Sequence, residues 1–179
     1  MKISSRIYLN NINYRCDLLQ RLKGRVFHVT TAAAFENIQS DNFIFHNKSG
    51  RFPIHTSSES SFGRKNGWVC LFDLRNQSDT AIQDALVKYD FLRPDWLVDH
   101  ELDQTVSHLA YLFLHPAKYS VLIPNSQGQL CDFFIPKVEC WYPGDMPLDH
   151  IEEVLFVRIT ENAPADPISR ILYHIENGL

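Results

Sequence analysis

The chain lacks most of the features that mark membrane, secreted or polyanion-binding proteins. No apolar run among its 179 residues is long enough to cross a bilayer. The stretch Met1-Lys2-Ile3-Ser4-Ser5-Arg6 holds no apolar core of the kind a signal peptide needs. Cys16, Cys70, Cys131 and Cys140 lie far apart and form no Cys-x-x-Cys pair, which predicts reduced thiols in a cytoplasmic protein rather than a disulfide or zinc framework. Basic residues are not in excess: the formal net charge is -4 and the pI is near 6.0. That argues against a sequence-blind nucleic-acid binder while leaving room for a local basic patch. There is no internal repeat, no low-complexity tract and no linker-like shift in composition. We therefore expect one domain over residues 1–179, with a core at about 25–159 and terminal helices packed on it.

Several catalytic signatures are missing as well. A Gly-x-Ser-x-Gly elbow is absent, which excludes the α/β type of serine hydrolase. The run Ser61-Phe62-Gly63-Arg64-Lys65-Asn66-Gly67 does not have the glycine spacing of a phosphate loop. His100-Glu101, His108 and His115 do not make His-Glu-x-x-His, so they read as surface histidines and no metal site is expected.

What is present is a soluble globular composition, 45% hydrophobic and 21% charged. Leu18, Leu19 and Leu22 predict a helix over 15–23 stopped by Gly24. Phe43-Ile44-Phe45 reads as a short extended piece, and 47–50 as a loop. Residues 52–58 read as a strand, 59–65 as a turn or short helix, Asn66-Gly67 as a tight turn and 68–74 as a buried strand. Helices are predicted at 80–88 and, from Val106, Leu109, Ala110 and Phe113, at 101–113, with Pro116 ending the second. Strands follow at 119–123, 131–135, 138–142 and 151–159. Asp166-Pro167 opens a last helix with Ile168, Ile171, Leu172 and Ile175 on one face. Strands at both ends and helices between them predict an α+β fold with mainly antiparallel sheet.

The most informative stretch runs from Arg25 to Ile38. Val26, Phe27 and Val29 favour a strand that carries His28 to its end. Thr30 or Thr31 then caps a helix whose Ala32, Phe35 and Ile38 recur at helical spacing. Ligand sites favour such junctions.

Three segments taken together resemble the ADP-ribosyltransferase fold family, and in particular small bacterial toxin-type members. They are Phe27-His28-Val29-Thr30 before a helix, Ile54-His55-Thr56-Ser57-Ser58 followed by Phe62, and Lys137-Val138-Glu139-Cys140-Trp141-Tyr142-Pro143-Gly144 with its return strand. The resemblance implies two small, mainly antiparallel sheets flanked by helices around an NAD cleft. It implies a glycosyltransferase that moves ADP-ribose to a protein or nucleic-acid target and releases nicotinamide. Glu139 would steady the positive charge that grows on the ribose, and His28 would bond a ribose hydroxyl. The Val29 backbone would face the nicotinamide amide, with Thr30 beside it. Thr56 and Ser57 would shape the cleft, Phe62 would stack on nicotinamide and Arg64 would take a phosphate.

The resemblance further implies a toxin or defence factor with a possible cognate inhibitor or antitoxin. Two departures stand out: the second strand has Thr56-Ser57 where a Tyr is often found, and Lys137 stands two before Glu139 where arginine-modifying members carry a glutamate. An RNA 2′-phosphotransferase-like enzyme and a non-catalytic nucleotide- or partner-binding module on the same fold remain alternatives.

Overall fold

The computed structural model describes residues 1–9, 14–52, 59–92, 96–99, 104–128 and 134–160, with single helical positions at 167–168, 171–172 and 175. In chain order the elements are β1 (Lys2–Leu9), α1 (Tyr14–Leu22), β2 (Val26–Thr31), α2 (Ala32–Asp41), β3 (Phe43–Ile44), α3 (Phe62–Asn66), β4 (Trp68–Asp73) and α4 (Asp79–Lys88). β5 (Trp96–Asp99), β6 (Gln104–Leu114), β7 (Glu139–Pro143), β8 (Met146–Pro147) and β9 (Ile151–Thr160) follow.

The expected mixed fold with mostly antiparallel sheet and flanking helices is present, but the strands do not divide into two small sheets. One seven-stranded sheet runs β1-β9-β6-β2-β4-β7, with β5 also on β6, and a second sheet holds only β3 and β8. Among the described residues every ladder between named strands is antiparallel except that of β1 with β9.

Three sequence expectations are corrected. Residues 104–114 form a strand, not a helix. β6 lies mid-sheet with a core on each face, and its described side chains are buried apart from His108. An apolar run of that kind carries no period that separates strand from helix. Residues 116–121 form a 3-10 helix rather than a strand; Pro116 opens it and the His115 side chain accepts the Ala117 N–H. Asn66-Gly67 closes α3 as a left-handed cap (φ 77° at Gly67) rather than turning a hairpin. Most of the expected strand at 52–58 and of that at 131–135 lies outside the described residues.

Each sheet face has its own core. Phe27, Phe72, Leu109, Tyr111, Phe113, Leu155 and Val157 pack beneath Leu18 and Leu22 of α1 and Ile82 of α4. Val26, Leu71, Ala110, Leu112 and Val154 pack on the other face against Phe35 of α2, with Ile44 and Met146. Thr31 caps α2 by accepting the Ala34 N–H at 3.1 Å, as the Thr30-Thr31 signal predicts. In the last helix, Ile168, Ile171, Leu172 and Ile175 are exposed rather than packed on the core. Among the described residues no helix is long and apolar enough to cross a membrane.

Candidate functional site

β2 and β4 begin as neighbours and then part. Their ladder holds only two pairs, Val26↔Asp73 and Phe27↔Phe72, although β2 continues to Thr31 and β4 starts at Trp68. Backbone bonding directions alternate along an antiparallel strand. The Leu74 N–H donates to the Arg25 carbonyl, so residues 25, 27 and 29 turn their backbone groups toward β4. Val29 would next pair with Cys70. Instead, the Cys70 carbonyl lies 3.0 Å from His28 Nδ1. A carbonyl only accepts, so Nδ1 carries the proton and donates it. The Val29 N–H and C=O thus border a notch between the strands.

That bond also fixes the chemistry of His28. With Nδ1 protonated, a neutral ring has Nε2 left as an acceptor. Burial pushes the His28 pKa below its ordinary value, the Cys70 carbonyl opposing in part, and so favours that neutral ring. Val29 and Thr30 follow in register with Tyr111 and Ala110 of β6.

Glu139 opens β7, two strands from His28. Phe27, Phe72 and Glu139 form one row across β2, β4 and β7, which sets the Phe27 and Glu139 backbones about 10 Å apart. By alternation Glu139 shares a face with Phe27, and His28 points to the other face. Glu139 is 4% exposed. Its Oε2 accepts the Ile135 N–H at 2.7 Å and its Oε1 accepts Trp141 Nε1–H at 2.8 Å. Burial raises its pKa, and the Ile135 and Trp141 donors, with Cys70, hold the rise back. Burial and the adjacent Glu139 push the Cys70 thiol up to about 12, so it stays protonated.

Aromatic rings surround this carboxylate. Phe62, the first residue of α3, lies 4.9 Å from the Trp141 ring, 5.8 Å from Trp68 and 6.3 Å from Phe134. Arg64 is engaged differently from its expected phosphate role. Its Nε donates to the Asn47 carbonyl at 3.0 Å and its Nη1 to the Glu59 carbonyl at 2.8 Å, which ties the 47–50 loop to α3. Lys137 is an exposed residue paired with Asp84 at 3.2 Å. Thr56 and Ser57 lie outside the described residues. The strand between those of His28 and Glu139 is β4, so Cys70 stands at the centre of the site.

No protein-family model matches this chain, and no curated protein and no solved structure is found similar to it.

The site therefore rests on its own geometry, and three of its residues escape the sequence reading. Trp141 shares a strand face with Glu139 two positions earlier, a period-two signal legible once β7 is accepted. Gly63 lets α3 press against Trp141 and Cys70. Asn125 braces the 135–139 turn: its Nδ2 donates to the Glu139 carbonyl at 2.6 Å and to that of Ile135 at 3.1 Å, and its Oδ1 accepts the Lys137 N–H at 2.8 Å. Nothing in the local pattern around Asn125 announces that contact.

Proposed function

We propose that this chain binds NAD at the notch between β2 and β4 and transfers its ADP-ribose to an acceptor, releasing nicotinamide. The single observation that carries the reading is the early end of the β2–β4 ladder, which turns the Val29 N–H and C=O toward the notch. A donor and an acceptor side by side on an extended backbone suit a carboxamide, the polar group of nicotinamide. His28 Nε2 is an acceptor for a ribose hydroxyl. The half-buried rings of Phe62 and Trp68, backed by the buried Trp141, offer stacking faces for a flat heterocycle.

In this reaction the bond from ribose C1 to the nicotinamide nitrogen breaks, its electron pair leaves with nicotinamide, the acceptor's lone pair closes on C1, and the acceptor's proton passes to solvent. Positive charge on the ribose peaks between those events, and a fixed carboxylate lowers that barrier. Glu139 is the candidate for that role, with Trp141 and Ile135 fixing its two oxygens. His28 and Glu139 leave opposite faces about 10 Å apart, a separation that suits the two different riboses of one dinucleotide better than one shared ribose.

A second reading has its own support. Both Glu139 oxygens accept hydrogen bonds and the residue is nearly inaccessible, which favours a module that binds a nucleotide without turning it over. Nicotinamide release from NAD, by the purified chain and by Glu139→Gln with cell lysate as acceptor, separates the two. A fall on the order of 100-fold in the variant is expected if Glu139 stabilises the transition state. No release by the wild type, while NAD still raises its Tm, supports the binding module. The absence of both release and binding removes the NAD reading.

A further inference from the structure

We propose that the loop from Phe43 to Phe52 is a docking platform for single-stranded nucleic acid, making such a strand the acceptor class of the site above; this rests on the transferase reading. Three phenyl rings line the loop. Phe43 and Phe45 have centroids 6.2 Å apart, and Phe45 and Phe52 stack at 5.5 Å with planes inclined by 29°. The Arg51 guanidinium covers two of them, at 4.8 Å from the Phe45 centroid and 5.0 Å from that of Phe52. Phe43 is 39% exposed, and Arg51 and Lys48 are exposed beside it. Large apolar rings partly open to water and interleaved with cations suit a partner that has both flat faces and negative charge. Single-stranded nucleic acid has both: unpaired bases stack on rings or on a guanidinium plane, and phosphates meet Lys and Arg. An acidic peptide needs only the cations, and a duplex hides its base faces.

The platform is built before any partner arrives. The Asn47 side chain closes the loop on Phe52 twice, donating to its carbonyl and accepting its N–H, each at 3.0 Å. Asn47 (φ 51°) and Gly50 (φ 71°) are both left-handed, and the Gly50 N–H donates to the Asn47 carbonyl at 3.1 Å. Arg64 holds that same carbonyl from α3. Two acids are close by. Asp145 accepts the His46 N–H at 3.1 Å, and the Glu59 backbone meets Arg64. β3 pairs with β8, which follows β7, and the Gly144 N–H donates to the Gly67 carbonyl just before Trp68. The platform therefore stands at the end of the sheet where β2 and β4 have parted. The overall charge of -4 opposes a long polyanion, so binding is local and weakens with salt.

Fluorescence anisotropy of labelled short single strands of DNA and RNA, measured without NAD, tests this on the full chain. A duplex of the same sequence and a poly-glutamate peptide serve as rivals. The expected result is strand binding that falls with salt and weakens about tenfold in Phe43→Leu and in Arg51→Ala, the scale of one lost stacking contact. Both variants are checked for an unchanged thermal melt. If one of them melts early, Lys48→Gln replaces it and must weaken binding and flatten the salt dependence.

Absence of strand binding overturns the proposal. So does equal binding of poly-glutamate with Phe43→Leu silent, which describes a plain cationic patch. Strand binding without nicotinamide release leaves the platform standing while the transferase reading fails. Release with no strand binding does the reverse.

Discussion

Gly63 has an ordinary helical backbone, and its need for a bare Cα comes from what lies against it. A Cβ there would sit 2.4 Å from Trp141 Cδ1 and 2.6 Å from Cys70 Sγ. Both neighbours form the cross-strand pair beside Phe72 and Glu139 on the same sheet face, and Trp141 is fully buried. Alanine would add helix propensity worth about 1 kcal/mol, yet overfilling a tight core costs about 1–3 kcal/mol and more when the overlap is with a fixed ring. The overlap decides the sign. Gly63→Ala is expected to lower the melting temperature by several degrees, at about 2–4 °C per kcal/mol for a chain of this size. Differential scanning calorimetry measures it, and an unchanged or higher Tm would mean that α3 does not press on Trp141.

At the scale of elements, the strand-to-helix junction at Thr31 is legible because capping and periodicity are local. β4 and β9 are legible too, from the apolar runs Trp68 to Phe72 and Val154 to Val157. The sequence misreads β6 because its side chains are buried by α1 and α4 on one face and α2 on the other, elements remote in sequence. β1 escapes notice since Lys2, Ser4, Ser5 and Arg6 interrupt its first half and leave only Ile7-Tyr8-Leu9 as an apolar run, as suits an edge strand. The sequence singles out His28 by an expected strand end, whereas β2 runs on to Thr31 and His28 sits mid-strand. Its bond to the Cys70 carbonyl depends on where β4 diverges, which no local pattern encodes. Amide exchange checks that divergence. His28 and Thr30 turn their N–H groups to β6 and are expected to be protected, while Val29, facing the notch, exchanges faster than both. NAD would slow Val29 selectively if it occupies the notch. Equal protection of all three amides without ligand would mean that the strands have not parted.

At the scale of the whole molecule, the charged forms of the half-buried His28 and the buried Glu139 are both disfavoured, with opposite effects on the pH dependence of stability. The folded pKa of His28 lies below its ordinary 6.5. As pH falls through 6.5 the unfolded imidazole takes a proton first, so stability that is full above that value is lost toward the lower folded value. The folded pKa of Glu139 lies above its ordinary 4.5. Its contribution is full below 4.5 and is lost as pH rises through the folded value, so acidification adds stability there. Asp17 and Glu153, whose pKa values are lowered in the fold, add a loss at still lower pH that wild type and site variants share.

Urea titrations of wild type, His28→Gln and Glu139→Gln between about pH 7 and pH 5 should therefore diverge in opposite directions. On acidification His28→Gln is expected to gain relative to wild type and Glu139→Gln to lose. Each slope difference is bounded by about 1.4 kcal/mol per pH unit, the limit for one proton. Three parallel profiles would mean that neither group is held out of water, and the neutral imidazole that the notch chemistry relies on would go with them.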